Sequence, residues 1–203
     1  MSIYEDLVKE WDYLAPHKVK AITISNTARS SGDFKVLPRR FANETAVACF
    51  LINDNECLKK TLVFFDGKVD TIYVDVEQKQ QIDLFHEAKQ IVENSELTTI
   101  KPNDIAIESC DLLLRKIYKD DLSSKNILVI GTGNLASKIA LRLAERQAHV
   151  YIEGRSRTKE ETIVQGINSF LPAYTYPIHT YREWDSMKKW DAIISFLSGS
   201  YWG

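Results

Sequence analysis

Short β-branched runs alternate with amphipathic stretches along the first half of the chain. Residues Leu7, Trp11 and Leu14 share one face at helical spacing, whereas TIYVDV at 71–76 is a typical strand. Strands are predicted at 19–25, 46–52, 61–65 and 71–76, and helices at 3–14, 80–94 and 103–118. Polar, basic and Gly/Pro residues predict a long loop at 26–40 and a turn at 65–68.

The second half alternates more regularly. Strands are predicted at 126–130, 149–153, 174–179 and 191–196, and helices at 135–146, 159–170 and 183–189. This alternation predicts a parallel sheet with helices on both faces. A complete dinucleotide fold has about six strands, so either the sequence is truncated or strands from elsewhere complete the sheet. The predicted fold class is α/β with two α/β domains, residues 1–120 and a Rossmann-like domain at 121–203, with a helix at 103–118 that can bridge them.

Composition narrows the functional classes. A net charge of -2 and a pI near 6.1 argue against general nucleic-acid binding, which usually needs a basic face. No apolar run approaches the roughly 20 residues of a membrane helix, and the acidic N-terminal segment is unlike a signal peptide. The scattered Cys49, Cys57 and Cys110 predict reduced thiols in a cytoplasmic protein. His86-Glu87 lacks a second histidine at position 90, so no metal site is expected.

A glycine-rich loop follows the apolar strand 126–130. It consists of Gly131, Thr132, Gly133, Asn134, Leu135 and Ala136, which fit the pattern G-x-G-x-x-A. The first glycine permits a sharp turn, the second lets a pyrophosphate approach the backbone, and the small alanine lets the helix pack close to the strand. Free N–H groups at the helix start favour phosphate. The loop therefore predicts a dinucleotide site; a ligand-free tight turn is the alternative.

The end of the next strand bears on the type of dinucleotide. Glu153 lies where NAD enzymes place an acid for the ribose hydroxyls. Arg155, Ser156 and Arg157 follow it, and these residue types suit a 2′-phosphate. We therefore expect NADP rather than NAD, although the charge of Glu153 opposes this choice if it points the same way, and a solvated basic turn is the alternative.

These residues carry a resemblance to a known superfamily. The segment 122–159 resembles the cofactor domain shared by shikimate dehydrogenases, glutamyl-tRNA reductases and the methylene-tetrahydrofolate dehydrogenase group. The matching stretches are Leu122–Lys125 for the "L-x-G-K" turn, the glycine loop, and Gly154-Arg155-Ser156 for the NADP signature. The resemblance implies that Arg155 and Ser156 hold the 2′-phosphate. It also implies that the end of the fourth strand, Ser195, Phe196 and Leu197, lies beside the nicotinamide.

No substrate follows from this resemblance, because the first half lacks the paired serines of shikimate dehydrogenases and the cysteine context of the reductases. Two stretches there are candidates for the chemistry. Asp75 and Lys79 end a strand and can pass a proton during hydride transfer; a polar helix start is the alternative. The loop Ser25–Ser31 with Arg29, together with Lys35, Arg39 and Arg40, suits an acidic substrate; a surface loop is the alternative.

Together these features predict an NADP-dependent oxidoreductase that transfers hydride to or from a small carbonyl or imine compound. In two-domain folds of this kind the first half supplies the substrate site. The alternative is a dinucleotide-binding sensor or scaffold without turnover. A homodimer is expected, without nucleic-acid or membrane partners.

Overall fold

The computed structural model describes residues 2–27, 32–77, 79–183 and 189–197. The chain forms two compact units that divide between Pro102 and Asn103. This division precedes the sequence boundary near residue 121, because the helix at 102–117 packs into the core of the second unit.

The first unit is built on a five-stranded sheet of order β2-β3-β1-β4-β5, in which only β2 runs antiparallel to its neighbour. Its strands are β1 Val19–Ser25, β2 Phe34–Ala42, β3 Thr45–Ile52, β4 Thr71–Asp75 and β5 Glu96–Ile100, and its helices are α1 Ile3–Leu14, α2 Asn55–Phe65 and α3 Leu84–Ile91. Ile22, Phe50 and Ile72 are fully buried in its core. The carboxyl ends of β1, β3, β4 and β5 therefore share one edge of the sheet.

The strand predicted at 61–65 is wrong, since these residues end helix α2. Asp54 caps this helix and accepts a hydrogen bond from the Cys57 N–H at 2.9 Å. The buried side chains are Leu58, Thr61, Leu62 and Phe65, which recur at helical spacing. The predicted turn at 65–68 closes this helix and does not join two strands; the Lys68 N–H donates to the Phe65 carbonyl at 2.9 Å.

The long loop predicted at 26–40 is also wrong in part, because β2 begins at Phe34. This edge strand is mostly exposed, so its charged residues do not prevent pairing with β3. The pairing shifts between Leu37 and Arg40, where Pro38 removes a backbone donor. The short edge strand β5 was not predicted, and α3 is shorter than the predicted 80–94 helix.

The second unit contains a four-stranded parallel sheet of order β8-β7-β6-β9. Its elements are α4 Pro102–Ile117, β6 Asn126–Ile130, α5 Asn134–Glu145, β7 His149–Glu153, α6 Arg157–Asn168, β8 His179–Thr180 and β9 Ala192–Ser195. In chain order this arrangement is 3-2-1-4, the first part of the Rossmann order. The predicted α/β class and Rossmann-like sheet are confirmed. Strand order reverses beside β6, at the end of which the glycine loop lies.

Two details of the second unit differ from the sequence prediction. The third strand, predicted at 174–179, is only His179–Thr180, because Pro177 cannot donate to a ladder. Helix α4 buries Ile107 and Leu114 and exposes four other apolar residues, Ile105, Leu112, Leu113 and Ile117. Most of the helix predicted at 183–189 lies outside the described residues; Tyr181–Glu183 form a short 3-10 turn.

Within the described ranges, no helix is both long enough and apolar enough to cross a membrane.

Candidate functional site

The glycine loop leaves β6 through a turn that requires glycine. Gly131 has φ +138°, a conformation that L side chains rarely adopt. A Cβ there would also lie 3.3 Å from the Cβ of Ala136 and 3.5 Å from that of Phe196. Ala136 is buried against the core, so its small side chain lets α5 pack close to β6. These two positions explain the first and last letters of the G-x-G-x-x-A pattern.

Gly133 precedes α5 and faces open space. A Cβ at this position would meet no atom within 4 Å, so the glycine is not needed for packing within the described structure. No described side chain caps the helix here. The hydroxyl of Ser137 donates to the Gly133 carbonyl at 3.1 Å, while Asn134 is exposed and Leu135 packs against the core. An approachable helix N-terminus of this kind suits an anion.

The loop is joined to the end of β7 by close packing. The Gly131 N–H donates to the Glu153 carbonyl at 2.7 Å. A Cβ on Gly154 would overlap the methyl group of Thr132, so glycine is the residue that fits against this side chain. Thr132 therefore contributes to the site by holding the two loops together. The stretches 131–136 and 153–156, which are far apart in sequence, lie at one edge of the sheet.

A buried carboxylate supports the turn after β7. Glu160 is 2 % exposed, and its Oε2 accepts a hydrogen bond from the Gly154 N–H at 3.1 Å. Its Oε1 has no partner among the described residues. Burial, together with the nearby Glu160 carboxylate, raises the pKa of Glu153, whereas Arg182 acts in the opposite sense. Sequence reasoning missed Glu160, because a glutamate inside a polar helix turn normally faces solvent.

The basic residues after β7 divide into free and engaged groups. Arg155 is exposed and makes no hydrogen bond or ion pair to any described residue. Ser156 caps α6, and its Oγ accepts from the Lys159 N–H at 3.5 Å. Arg157 instead pairs with Glu161 on the same helix at 2.7 Å. Arg155 is therefore the guanidinium available at this strand end.

The end of β9, which contains Ser195, Phe196 and Leu197, adjoins the end of β6 from which the glycine loop begins. Ser195 pairs in register with Ile130, and the Phe196 N–H donates to the Ile130 carbonyl at 2.9 Å. Leu197 packs with a small apolar cluster that includes Leu128 and Tyr151. The exposed Ser195 hydroxyl accepts from the Leu197 N–H at 3.4 Å.

In the first unit, Asp75 and Lys79 lie together at the carboxyl end of β4. The Lys79 Nζ donates to Asp75 Oδ2 at 2.5 Å and lies 3.2 Å from Glu77 Oε2. The Asp75 side chain is fully buried and Oδ1 also accepts from the Glu77 N–H at 2.9 Å. A lysine held between two carboxylates is an arrangement that can hold and move a proton at Nζ.

The second predicted stretch, Ser25–Ser31, is only partly described, because residues 28–31, including Arg29, lie outside the described residues. The basic residues grouped with it do not converge. Arg39 forms an ion pair with buried Glu10 of α1 at 2.9 Å. In the β2–β3 register Arg40 lies opposite Val47 and Lys35 lies opposite Leu51, so these two basic residues are toward opposite ends of β3. Asn26, directly after β1, is buried instead.

Three cysteines are free thiols, and burial raises the pKa of Cys57 to about 11. Among the described residues, no group of three or more His, Cys, Asp or Glu side chains is arranged to hold a metal ion.

Comparison with known families identifies the second unit. Residues 112–199 match the family model described as shikimate / quinate 5-dehydrogenase, a stretch shorter than half of the 203 residues. No curated protein sequence shows significant similarity to the chain. The match and the 3-2-1-4 strand order agree, so this segment is a Rossmann-type nucleotide-binding domain that resembles those of the shikimate dehydrogenase superfamily.

One solved structure shows the same class of fold, and a second gives a weaker match. The crystal structure of L-tryptophan dehydrogenase from Nostoc punctiforme has a TM-score of 0.51 at 12% identity, covering 90% of this chain and 57% of that one. The A chain of dipicolinate synthase from Bacillus subtilis has a TM-score of 0.39 at 17% identity, covering 92% of this chain and 57% of that one. The chain therefore spans little more than half the length of these proteins.

Proposed function

We propose that this protein is an NADP-dependent oxidoreductase that transfers hydride to or from a small carbonyl or imine compound. The observation that carries the proposal is the Gly131–Ala136 loop. Its first glycine is required by backbone conformation, whereas Gly133 is not required by packing and leaves the helix N-terminus open. A glycine at a position where no described fold contact needs it is accounted for by a ligand that approaches the backbone.

In this proposal the backbone N–H groups at the start of α5 bind the pyrophosphate. Ala136 and Thr132 hold the loop against the sheet, and Ser195, Phe196 and Leu197 flank the nicotinamide. When bound, the nicotinamide would supply the hydride as NADPH or accept it as NADP+. The matched family is one of dehydrogenases, which supports a nicotinamide cofactor.

The preference for NADP rests on Arg155 and Ser156. Arg155 has an uncommitted guanidinium, and the Ser156 hydroxyl, although it accepts from Lys159, can still donate its proton to a phosphate oxygen. Arg157 must break its ion pair with Glu161 to contact the 2′-phosphate, so we expect it to contribute less to NADP binding than Arg155.

Titration of the full chain with NADPH and with NADH, followed by nucleotide fluorescence, tests this cofactor assignment. We expect saturable binding of both and tighter binding of NADPH. Arg155→Gln should weaken NADPH binding by about tenfold, the loss of roughly one charge-assisted contact, and leave NADH unchanged. Arg157→Gln is the matched control and should have a smaller effect. Absence of saturable binding by either nucleotide would overturn the proposal.

For the chemical step we propose that Lys79 passes a proton to or from the substrate and that Asp75 holds its ammonium group. The 2.5 Å contact between them and the burial of Asp75 support these roles. Lys79 is itself partly exposed, at 20% of its side-chain surface, so it remains accessible.

One observation favours the second candidate function, a dinucleotide-binding sensor or scaffold. Lys79 contacts two carboxylates, and an ion cluster of this kind also stabilises a strand end without any catalytic role. The two functions differ in a single measurement. A sensor binds NADPH and shows no NADP-linked turnover with any small carbonyl compound or amine.

A homodimer is part of the proposal. Helices α1 and α2 of the first unit border an apolar groove of about 680 Å³, and Tyr4 and Val63 on its walls are each 63% exposed. Apolar exposure of this kind is typical of interfaces. Light scattering of the full chain should give twice the mass of 23.3 kDa, and Val63→Glu should lower it to that of one chain.

The cellular location that we propose is the cytoplasm. The three free cysteines support it, because thiols persist in a reducing compartment. To test the redox state, the protein is taken directly from cells, unfolded and treated with an alkylating reagent. We expect all three cysteines to react. Thiols that cannot be alkylated would contradict the cytoplasmic location.

A further inference from the structure

The first unit contains a small pocket at the carboxyl edge of its sheet. The pocket has a volume of about 240 Å³ and is bordered by the residues after β1 and β4 and by the start of α3. Strand order reverses between these two strands, because the chain leaves β1 toward β2 and β3 and leaves β4 toward β5. Ligands of open α/β sheets bind at such points, outside the carboxyl ends of the strands.

Asn26 provides the clearest sign that this pocket takes a ligand. It lines the pocket directly after β1 and is only 4% exposed. Its Oδ1 is buried and has no hydrogen-bond partner among the described residues. A buried acceptor without a donor destabilises the fold. The cost is recovered when a ligand supplies an N–H or O–H to this oxygen.

The charges around the pocket select the kind of donor. Three lining residues are carboxylates, Asp75, Glu77 and Asp83. Lys79 is ion-paired with the first two, and Asp83 caps α3 by accepting the His86 N–H at 2.9 Å. Three carboxylates near one ammonium group leave the described surroundings negative, which favours a cation over an anion.

The remaining wall is apolar. Ile82, Leu84 and Phe85 line the side of the pocket formed by the start of α3. A ligand that fits both walls has a positively charged donor at one end and a hydrocarbon group at the other, within a volume suited to a small molecule.

We propose that this pocket binds a small organic ammonium ion, with an N–H donated to Asn26 Oδ1 and its hydrocarbon group against Ile82 and Phe85. This deepens the proposed oxidoreductase function, on which it rests for the reaction, by selecting the amine/imine couple. Oxidation by NADP+ removes a hydride from the amine carbon and a proton from nitrogen, and leaves an iminium ion, NADPH and a free proton. The acidic substrate suggested by Arg29 does not suit the described lining.

Three probes of similar size and different charge test the pocket. 2-Phenylethylamine, 2-phenylethanol and phenylacetate are titrated separately into the full chain without nucleotide, at neutral pH, by ligand-observed NMR and calorimetry. We expect saturable binding of the amine, about tenfold weaker binding of the alcohol, equal to the loss of one charged contact, and no binding of phenylacetate. Phenylacetate binding as tight as the amine, or no saturable binding of the amine, overturns the proposal.

Two substitutions of Asn26 separate a binding role from a structural one. Asn26→Leu removes the unpaired oxygen, so we expect a higher unfolding temperature and at least about tenfold weaker amine binding. Asn26→Asp places a carboxylate at the same point and should tighten amine binding. A lower unfolding temperature for Asn26→Leu with unchanged amine binding would assign Asn26 to the fold and overturn the proposal.

Asn168→Leu is the matched control in the second unit. The Asn168 side chain both donates to and accepts from the backbone of Ile178, each at 2.8 Å. Its loss should lower the unfolding temperature and leave amine binding unchanged. NADPH binding is measured on the same proteins, so failure of the amine pocket is distinguished from failure of the cofactor site.

Discussion

The two units place their candidate sites at the same kind of position and build them from different parts of the chain. In the second unit, backbone geometry makes the site: a glycine with positive φ, an uncrowded Gly133 and an uncapped helix start. In the first unit, side chains make it: buried Asn26 and the cluster of Asp75, Glu77 and Lys79. Backbone donors recognise a common group such as phosphate, whereas side chains determine which substrate binds.

The largest expected effect is a loss of NADP-linked turnover that leaves nucleotide binding intact. Lys79→Met should lower NADP-linked turnover by roughly 10²–10⁴-fold, the range for loss of a proton-transfer group, while NADPH affinity stays unchanged. Turnover is followed by NADPH absorbance on a substrate found by screening small amines and carbonyl compounds. Lys116→Met on the surface of α4 is the control. Equal turnover of the Lys79 and Lys116 variants would remove Lys79 from the mechanism.

Two glycine substitutions break the backbone site in different ways. Gly131→Ala should destabilise the second unit by about 1–3 kcal/mol, because its φ of +138° is strained for alanine. Gly133→Ala should leave the unfolding temperature unchanged and weaken NADPH binding about 30-fold, near 2 kcal/mol, because the added methyl group occupies the approach to the backbone. If Gly133→Ala binds NADPH normally, this glycine does not face the pyrophosphate.

A third substitution tests how side chains serve the second unit. Asp111 of α4 is buried and accepts two hydrogen bonds from Arg146 at the end of α5, at 2.6 and 2.7 Å. Asp111→Ala should cost about 2 kcal/mol, less than a fully buried pair because Arg146 is one-third exposed. Urea unfolding measures it, with Lys116→Ala on the exposed face of the same helix as control. Equal stability of the two variants would show that α4 is held by its apolar contacts alone.

The smallest expected effect concerns the stability of the first unit at low pH. Asp66 ends α2, and although burial acts to raise its pKa, backbone N–H groups of Glu93, Ser95 and Asn94 lower it to about 2. A depressed carboxyl pKa stabilises the fold above the unfolded value near 4, and this contribution is lost as the pH falls from about 4 to about 2.

Asp66→Asn should therefore reduce stability by about 1 kcal/mol at pH 7, after allowance for solvent screening, and by progressively less toward pH 2. Unfolding at several pH values measures this difference. A constant difference between pH 7 and pH 2 would show that the charge of Asp66 is not what holds the turn at residues 93–95.

The contrast between the units also explains what could be predicted from the sequence. The glycine loop was predictable because Gly131 meets a backbone requirement, and Ala136 a packing requirement, that few residues satisfy. The run Thr61–Phe65 was misassigned as a strand because four of its five residues are β-branched or aromatic and conceal a helical period that becomes visible only with Leu58 and the Asp54 cap. The roles of Asn26 and Glu160 could not be predicted, because burial of a polar side chain depends on neighbours that are distant in sequence.

The close packing of Gly154 against the methyl group of Thr132 also limits how this domain can change over evolutionary time. A Cβ at position 154 would overlap that methyl group, so a substitution there requires the Thr132 side chain to move or to be replaced by a smaller one. The two positions are therefore epistatic: their order of substitution matters, and their effects will not add. A change of nucleotide preference that requires a side chain at 154 therefore also involves the glycine loop, which follows a different strand.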